Sequence, residues 1–550
     1  IGPAVAPAVR MPAALALAST AARQPAVAAA RMPAVRPRRL LPLLAVATCT
    51  TALLALAFPR VLVAFLGGGA GDRGRLPARA PRRAAAADAA IAAPAAPAAE
   101  ASPTDADVQL PPFDQRPGTT DQSAFAEGSS AAFWRAFDPY SEAADALPTA
   151  AELTGADARY WLYHLGRFGF FSGQALLGVA ASQLAQGLGS GGDTASDEGG
   201  QPNFLGRILS DPSAELRGRL QEASAAFRQD LAFVRDGYFK EPYDMSPRHR
   251  QWSPSYVADR SVRFVREAVG TLRRSRERAD TSTWVESGSD LYPKYYQHTF
   301  HYQTDGWLSS DSAEVYETST ETLFLGRQDA MQRTSLVHIS RALQRHRAME
   351  GHSAAGPQPK LLEIGCGTGR VMSFIRDNWP SLDVTVSDLS PFYLEKAREN
   401  NAYWERRFAG SSTSLGRSAF VQANAEALPF EDGSFDVVVS VYLFHELPAE
   451  AQEAVFADVA RVLAPGGTFV LTDSVQLGDR PYADESMGRF GDFAEPHYKA
   501  YIRRDLAALA RAHGLEPFEK EVSSSTKSLS FVKPSPPSAS EEGPTDGPTN

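Results

Sequence analysis

Residues 361–370 read Leu-Leu-Glu-Ile-Gly-Cys-Gly-Thr-Gly-Arg. The apolar run from Lys360 to Ile364 is short and ends in glycines, which marks a buried strand running into a tight turn. Gly369 to Asn378 then carries helical spacing. Gly365, Gly367 and Gly369 occupy the turn, where the backbone must take unusual dihedrals and a ligand must approach it closely. Their spacing is G-x-G-x-G. A nicotinamide or flavin fingerprint spaces its glycines G-x-G-x-x-G and lays a pyrophosphate over the helix N-terminus. Here an acid, Glu363, precedes the first glycine by two residues.

Downstream, strand and helix patterns alternate. Strands are predicted at Leu382 to Ser387, Ala419 to Gln422, Phe435 to Val441 and Thr468 to Thr472. Helices are predicted at Pro391 to Trp404 and Ala449 to Leu463. Such alternation implies an α/β fold, a Rossmann-like parallel sheet with helices on both faces. Two last strands, Leu515 to Ser523 and Ser525 to Val532, close it with an antiparallel pair. Polar landmarks sit at the strand ends: Asp388, about twenty residues beyond the glycines, then Gln422-Ala-Asn-Ala-Glu-Ala-Leu-Pro-Phe430. Phe435-Asp-Val-Val-Val-Ser-Val-Tyr-Leu-Phe-His445-Glu and Arg461-Val-Leu-Ala-Pro-Gly-Gly467 follow.

In this order and at this spacing, the motifs of residues 356–533 resemble those of the class I S-adenosylmethionine-dependent methyltransferases. The resemblance implies that S-adenosyl-L-methionine is the cofactor. It places the loop of Gly365, Cys366, Gly367 and Gly369 around the amino-acid end, with Glu363 organising that end through water or backbone groups. It gives Asp388 the two ribose hydroxyls and Leu389 a face of the adenine. The adenine loop would be Asn424, Ala425 and Glu426. The family more often has Asp where Asn424 stands, and an amide oxygen can accept the same bond. Ser440 belongs to the floor beneath the methionine portion.

Upstream, Leu291-Tyr-Pro-Lys-Tyr-Tyr-Gln-His-Thr-Phe-His-Tyr-Gln-Thr-Asp-Gly-Trp307 and Tyr316 to Met331 are similar to a narrower methyltransferase family. Its members occur in plastid-bearing organisms and bacteria and are mostly of unassigned substrate. Residues 131–350 read as a mainly helical N-terminal and lid region, with helices at Ala156 to Leu188, Ser213 to Arg235 and Ser255 to Arg276. His301, Gln303 and Asp305 alternate onto one side if extended, which suits a lid over the cofactor mouth. Burial of the neighbouring aromatics as core is the competing reading.

The remaining features bound the function. The whole chain holds 55 Lys and Arg against 64 Asp and Glu, a net charge of -9, which argues against coating nucleic acid. Cys49 and Cys366 are the only cysteines, so no cysteine metal site or disulfide framework is expected. No metal-binding cluster of Asp and Asn is evident either. Residues 1–100 contain twelve Arg, three acids and no Lys, with a charge-free run at 40–58. A basic segment before an apolar run has the layout of a signal or anchor, and the run approaches the ~20 residues that span a bilayer. The Arg/Ala/Pro segment that follows resembles a transit peptide. Together they predict a plastid targeting leader with membrane association through 40–58, the secretory-pathway membrane being the alternative. Residues 101–130 read as a disordered linker and 534–550 as a disordered tail.

The expected reaction is methyl transfer to a small-molecule acceptor of hydrophobic, quinone- or lipid-like character. His445 is the candidate base, and Tyr442, His497 and Tyr498 are candidate acceptor contacts. A catalytically silent scaffold and an NAD-dependent oxidoreductase are the rival readings. Oligomeric state is left open.

Overall fold

A computed structural model describes residues 147–187, 212–277, 292–299, 303–349, 358–480, 484–487 and 495–535. The leader, the linker, most of the tail and His301 lie outside the described residues. The strands are β1 (Lys360–Ile364), β2 (Asp383–Asp388), β3 (Ser418–Gln422), β4 (Phe435–Val441), β5 (Leu463–Ser474), β6 (Glu516–Ser523) and β7 (Thr526–Val532). They form one seven-stranded sheet in the order β3-β2-β1-β4-β5-β7-β6. β1 to β5 are mutually parallel, and β7 runs antiparallel to both β5 and β6.

The strands bury both faces, and their sequence shows why. Leu362, Ile364, Val438, Phe469, Leu471, Leu529 and Phe531 point into one core, while Leu361, Val384, Val386, Val437, Val439 and Val470 point into the other. Successive residues alternate between cores because side chains alternate across a strand. Each such side chain contributes about 1.5–3 kcal/mol by leaving water. β5 is longer than the expected Thr468 to Thr472. Its first residue, Leu463, pairs with Phe435 before an irregularity, and the regular ladder resumes at Thr468 opposite Val437.

The longer helices, numbered in chain order, are α1 (Ala158–Gly187), α2 (Pro212–Arg235), α3 (Pro254–Glu277), α4 (Ser310–Leu323), α5 (Thr334–Met349), α6 (Arg370–Asn378), α7 (Pro391–Glu405), α8 (Ala449–Val462) and α9 (Leu506–Ala512). The segment expected as one long or two abutting helices from Ala156 to Leu188 is one continuous helix over Ala158–Gly187. Among the described residues no helix is long and apolar enough to cross a membrane. α5 precedes residue 356, yet its Leu336, Val337, Ile339, Ala342 and Leu343 share a core with Leu361, Val384 and Val437. The upstream region therefore supplies one of the helices that cover the sheet.

A third, smaller core lies upstream, in which Tyr160, Trp161 and Phe168 of α1 meet Phe227 and Leu231 of α2. A buried ion pair ties it to the start of α5. Arg333 donates from Nε and Nη2 to the two oxygens of Asp230 at 2.8 and 2.7 Å, and Tyr160 Oη donates to the same carboxylate at 2.5 Å. Arg333 and Asp230 are 1% and 2% exposed, so either one alone would be an uncompensated charge. Arg333→Met is expected to cost about 3–5 kcal/mol in urea unfolding. Adding Asp230→Asn should recover part of that loss; a loss under 1 kcal/mol for the single variant would contradict the role assigned to the pair.

Candidate functional site

The site begins where β1 ends. Cys366 N–H donates to Ser387 O at 3.0 Å and Gly369 N–H to Cys366 O at 2.9 Å, folding the loop back on β2. Gly367 has φ +53 and nothing within 4 Å of the position a Cβ would take, so its backbone faces open space. Gly369 has φ +73 for another reason. A Cβ there would lie 2.9 Å from Ala397 Cβ, because α7 packs directly on the start of α6.

Asp388, at the end of β2, is turned toward this loop. Its Oδ2 accepts from Gly367 N–H and its Oδ1 from Ser390 N–H, both at 2.8 Å. Burial raises its pKa to about 6, while these backbone donors oppose the rise. Glu363 is 2% exposed, and its Oε2 has no hydrogen-bond partner. Burial, with Asp388 adding to it, pushes that carboxyl up to about 8.

α4 lies over the loop. Glu317 Oε1 accepts from Thr368 Oγ1 at 2.8 Å and from Asn400 Nδ2 at 3.1 Å. Tyr316 forms an aromatic triad with Trp307 and Tyr393, with centroids 5.0–5.4 Å apart. Burial and the charges of Glu446, Asp388 and Glu495 raise the Tyr316 hydroxyl well above its usual range. The first residue of α6, Arg370, donates to Asp329 at 2.9 and 2.5 Å and also pairs with Asp244. Arg167 of α1 pairs with Asp329 at 2.8 Å and Glu321 at 2.6 Å. Burial pushes Glu321 up to about 8. Asp329 is held far below the usual range by Arg370 and Arg167, despite its burial.

The segment 292–299 covers the ends of β2 and β3. Tyr295 Oη donates to Glu426 Oε1 at 2.5 Å, and Gln422 Nε2 to Tyr292 Oη at 3.2 Å. Tyr292 and Tyr296 stack at 5.9 Å. Asn424 does not present its amide oxygen freely, since Oδ1 accepts from Glu426 N–H at 3.0 Å in a side-chain-closed turn. Leu389 and Ala425 are half-buried at the same rim. Gln303 and Asp305 do not alternate along an extended strand. Asp305 and Gly306 have φ +62 and +52 in a turn that leads into α4, so Gln303 is buried while Asp305 is half-buried.

The exit of β4 forms the other wall. Ser440 is buried with Oγ unpartnered. Tyr442 takes φ +56, uncommon for a bulky residue. Its ring stacks on Phe324 at 6.3 Å, and its hydroxyl meets Thr526 Oγ1 at 2.5 Å. His445 Nδ1 lies 2.6 Å from Asp473 Oδ1. Burial alone would lower His445, but Asp473 dominates and raises it to about 10. Tyr498 and Tyr501 lie edge-on to His445, both at 6.2 Å. His497 faces Tyr295 at 6.2 Å. His445 thus meets Asp473, Tyr442, Tyr498 and Tyr501, and His497 meets Tyr295. The structure also brings in Glu495, which no motif or periodicity singled out, and gives contacts to Glu317 and Tyr295 of the upstream motifs.

Residues 361–467 match the methyltransferase domain family. The chain is 34% identical over 117 residues to a malonyl-[acyl-carrier protein] O-methyltransferase of Paenibacillus sp., covering 21% of this chain and 38% of that protein. It is 33% identical over 147 residues to a ubiquinone/menaquinone biosynthesis C-methyltransferase of Methylobacterium nodulans, covering 26% and 54%. The chain thus spans about half or less of the length of these relatives. A solved SAM-dependent methyltransferase from Methanosarcina mazei aligns at 18% identity and TM-score 0.27, covering 34% of this chain and 97% of that one. This part of the chain is a class I methyltransferase domain whose cofactor is S-adenosylmethionine.

The two loop glycines should separate in a stability test. Gly369→Ala combines backbone strain with overpacking on Ala397 and should cost about 2–4 kcal/mol. Gly367→Ala meets open space and should cost only the strain, about 1–2 kcal/mol. Equal losses in urea unfolding would contradict the packing described for α7.

Proposed function

We propose that this protein transfers the methyl group of S-adenosylmethionine to a small-molecule acceptor of hydrophobic character, in the pocket between the glycine loop and the exit of β4. The observation that carries the reading is the Asp388 carboxylate bonded to the Gly367 N–H beside open space, with the orphaned Glu363 oxygen behind it.

The residues fit the cofactor. Each Asp388 oxygen accepts one backbone N–H and keeps acceptor capacity for a ribose hydroxyl. A buried carboxylate with an unpartnered oxygen is costly unless a cation or donor meets it, and the ammonium of the methionine end would supply one to Glu363. Tyr292 and Tyr296 offer apolar faces beside Leu389 for the adenine. When bound, the cofactor supplies a methyl group already activated by its sulfonium. What remains for the chain is alignment and exclusion of water. Tyr316, Phe324 and Tyr442 wall the acceptor side with aromatic surface, which supports a hydrophobic, quinone- or lipid-like acceptor. His445, oriented by Asp473, presents the polar group nearest to that side.

Calorimetry with S-adenosylhomocysteine tests this. Asp388 must be ionised to accept two hydroxyls, and burial holds its pKa at about 6, above the ordinary carboxylate range. The flanking Tyr296, Tyr316 and Tyr393 are all pushed upward and stay neutral. Affinity should therefore fall with acidity, by about tenfold per pH unit below 8, where Glu363 takes up a proton, and by about a hundredfold per unit below 6, where Asp388 does so too. Asp388→Ala should weaken binding strongly at all pH values. Binding of NADH in place of S-adenosylhomocysteine would end the proposal.

The leader reading also stands as a proposal, resting on the Arg-rich, Lys-free composition of residues 1–100. A fluorescent protein fused behind residues 1–130 should reach the plastid of an alga with secondary plastids. Retention in the cytosol would refute it.

A further inference from the structure

The exit of β4 carries ligand-type side chains that cofactor binding leaves unused. His445, Glu446 and Glu495 are 8%, 9% and 1% exposed, and each brings one ligand atom within 4.8 Å of the others. We propose that these three side chains bind a divalent cation of the first transition row, placed to grip an acceptor that offers adjacent oxygen atoms. The cation site stands on this chain's geometry, whereas the grip on an acceptor rests on the methyltransferase reading.

The donor set is one imidazole nitrogen and two carboxylates, a mixture that suits Mn2+, Fe2+ or Zn2+ better than Mg2+. The imidazole is oriented as a metal ligand is. Its Nδ1 is held at 2.6 Å by Asp473 Oδ1. Asp473 is itself held by Phe444 N–H at 2.8 Å and Ser474 N–H at 2.6 Å. Nε2 is thereby left toward Glu446 Oε1 at 3.5 Å. A carboxylate that fixes the ring through its far nitrogen is the usual outer partner of a metal-bound histidine.

A second observation points the same way. Glu446 is nine-tenths buried, and its Oε2 has no hydrogen-bond partner. The imidazole is drawn to Asp473 at 2.6 Å and stands 3.5 Å from Glu446, so it does not by itself satisfy the Glu446 carboxyl. Buried charges persist when they are matched, and a divalent cation between Glu446 and Glu495 would match them. Its location is also apt. β4 pairs directly with β1, whose end opens the glycine loop, so a cation at the exit of β4 would stand beside the cofactor cradle.

The test uses the full chain stripped of metal with a chelator. Mn2+ is titrated and free ion followed by electron paramagnetic resonance, while S-adenosylhomocysteine binding is measured in parallel by calorimetry. One saturable Mn2+ per chain is expected, weakened about tenfold or more by Glu446→Gln and by Glu495→Gln, with S-adenosylhomocysteine affinity retained. Asp473→Asn loosens the imidazole and should weaken Mn2+ about tenfold. Circular dichroism verifies that each variant is folded. Absence of saturable Mn2+ binding, or unchanged affinity in folded Glu446→Gln and Glu495→Gln, overturns the cation site and leaves the cofactor reading intact. Mn2+ binding without S-adenosylhomocysteine binding overturns the methyltransferase reading and leaves the cation site standing.

Discussion

Arg370 sets the terms for the rest of the structure. It is the first residue of the helix that follows the glycine loop, where the helix already carries partial positive charge. A half-buried guanidinium at that end is unfavourable unless anions surround it. Asp329 and Asp244 do so, and Arg167 completes the group by sharing Asp329. All three partners come from the region upstream of the sheet. The glycine loop is thus held by charges that come from outside residues 361–467.

This explains why the upstream region does not behave as an appendage. α5 fills one face of the sheet, α4 lies on the loop through Glu317 and Thr368, and residues 292–299 close the ends of β2 and β3 through Tyr295 and Glu426. The pocket has a floor from the sheet and a roof from preceding sequence. A roof of this kind excludes water from one side, which favours a reaction whose catalysis rests on alignment. Tyr442, in its uncommon backbone conformation, marks where the two parts meet: its ring stacks on Phe324 and its hydroxyl reaches β7. Residues kept in sparse conformations persist where surrounding contacts over-determine them.

Much of the sheet was legible because its strands are buried on both faces and bounded by glycine or proline. β1 and β4 fall on the residues expected, and the antiparallel closing pair is where the pattern put it. Legibility failed where contacts outran local pattern. The turn at Asp305 and Gly306 looks extendable in isolation, and α5 looks like part of a separate helical region until its apolar face meets Val384 and Val437. Asn424 reads as an adenine acceptor by chemistry, and only the fold shows that its amide oxygen also closes a turn on Glu426 while keeping a second lone pair. Glu495 carries no periodicity or motif that pairs it with His445.

From the sequence alone follow the alternation of strands and helices, the glycine loop and the acid that faces it, since each depends on neighbours within a few tens of residues. Side-chain alternation and backbone sterics act over that range, and they leave a readable period. Tertiary structure alone decided which carboxylates neutralise Arg370, which helix roofs the loop, and which acids crowd His445. Those partners are separated by long stretches of chain, and buried charges are matched by proximity in space, which no local pattern encodes.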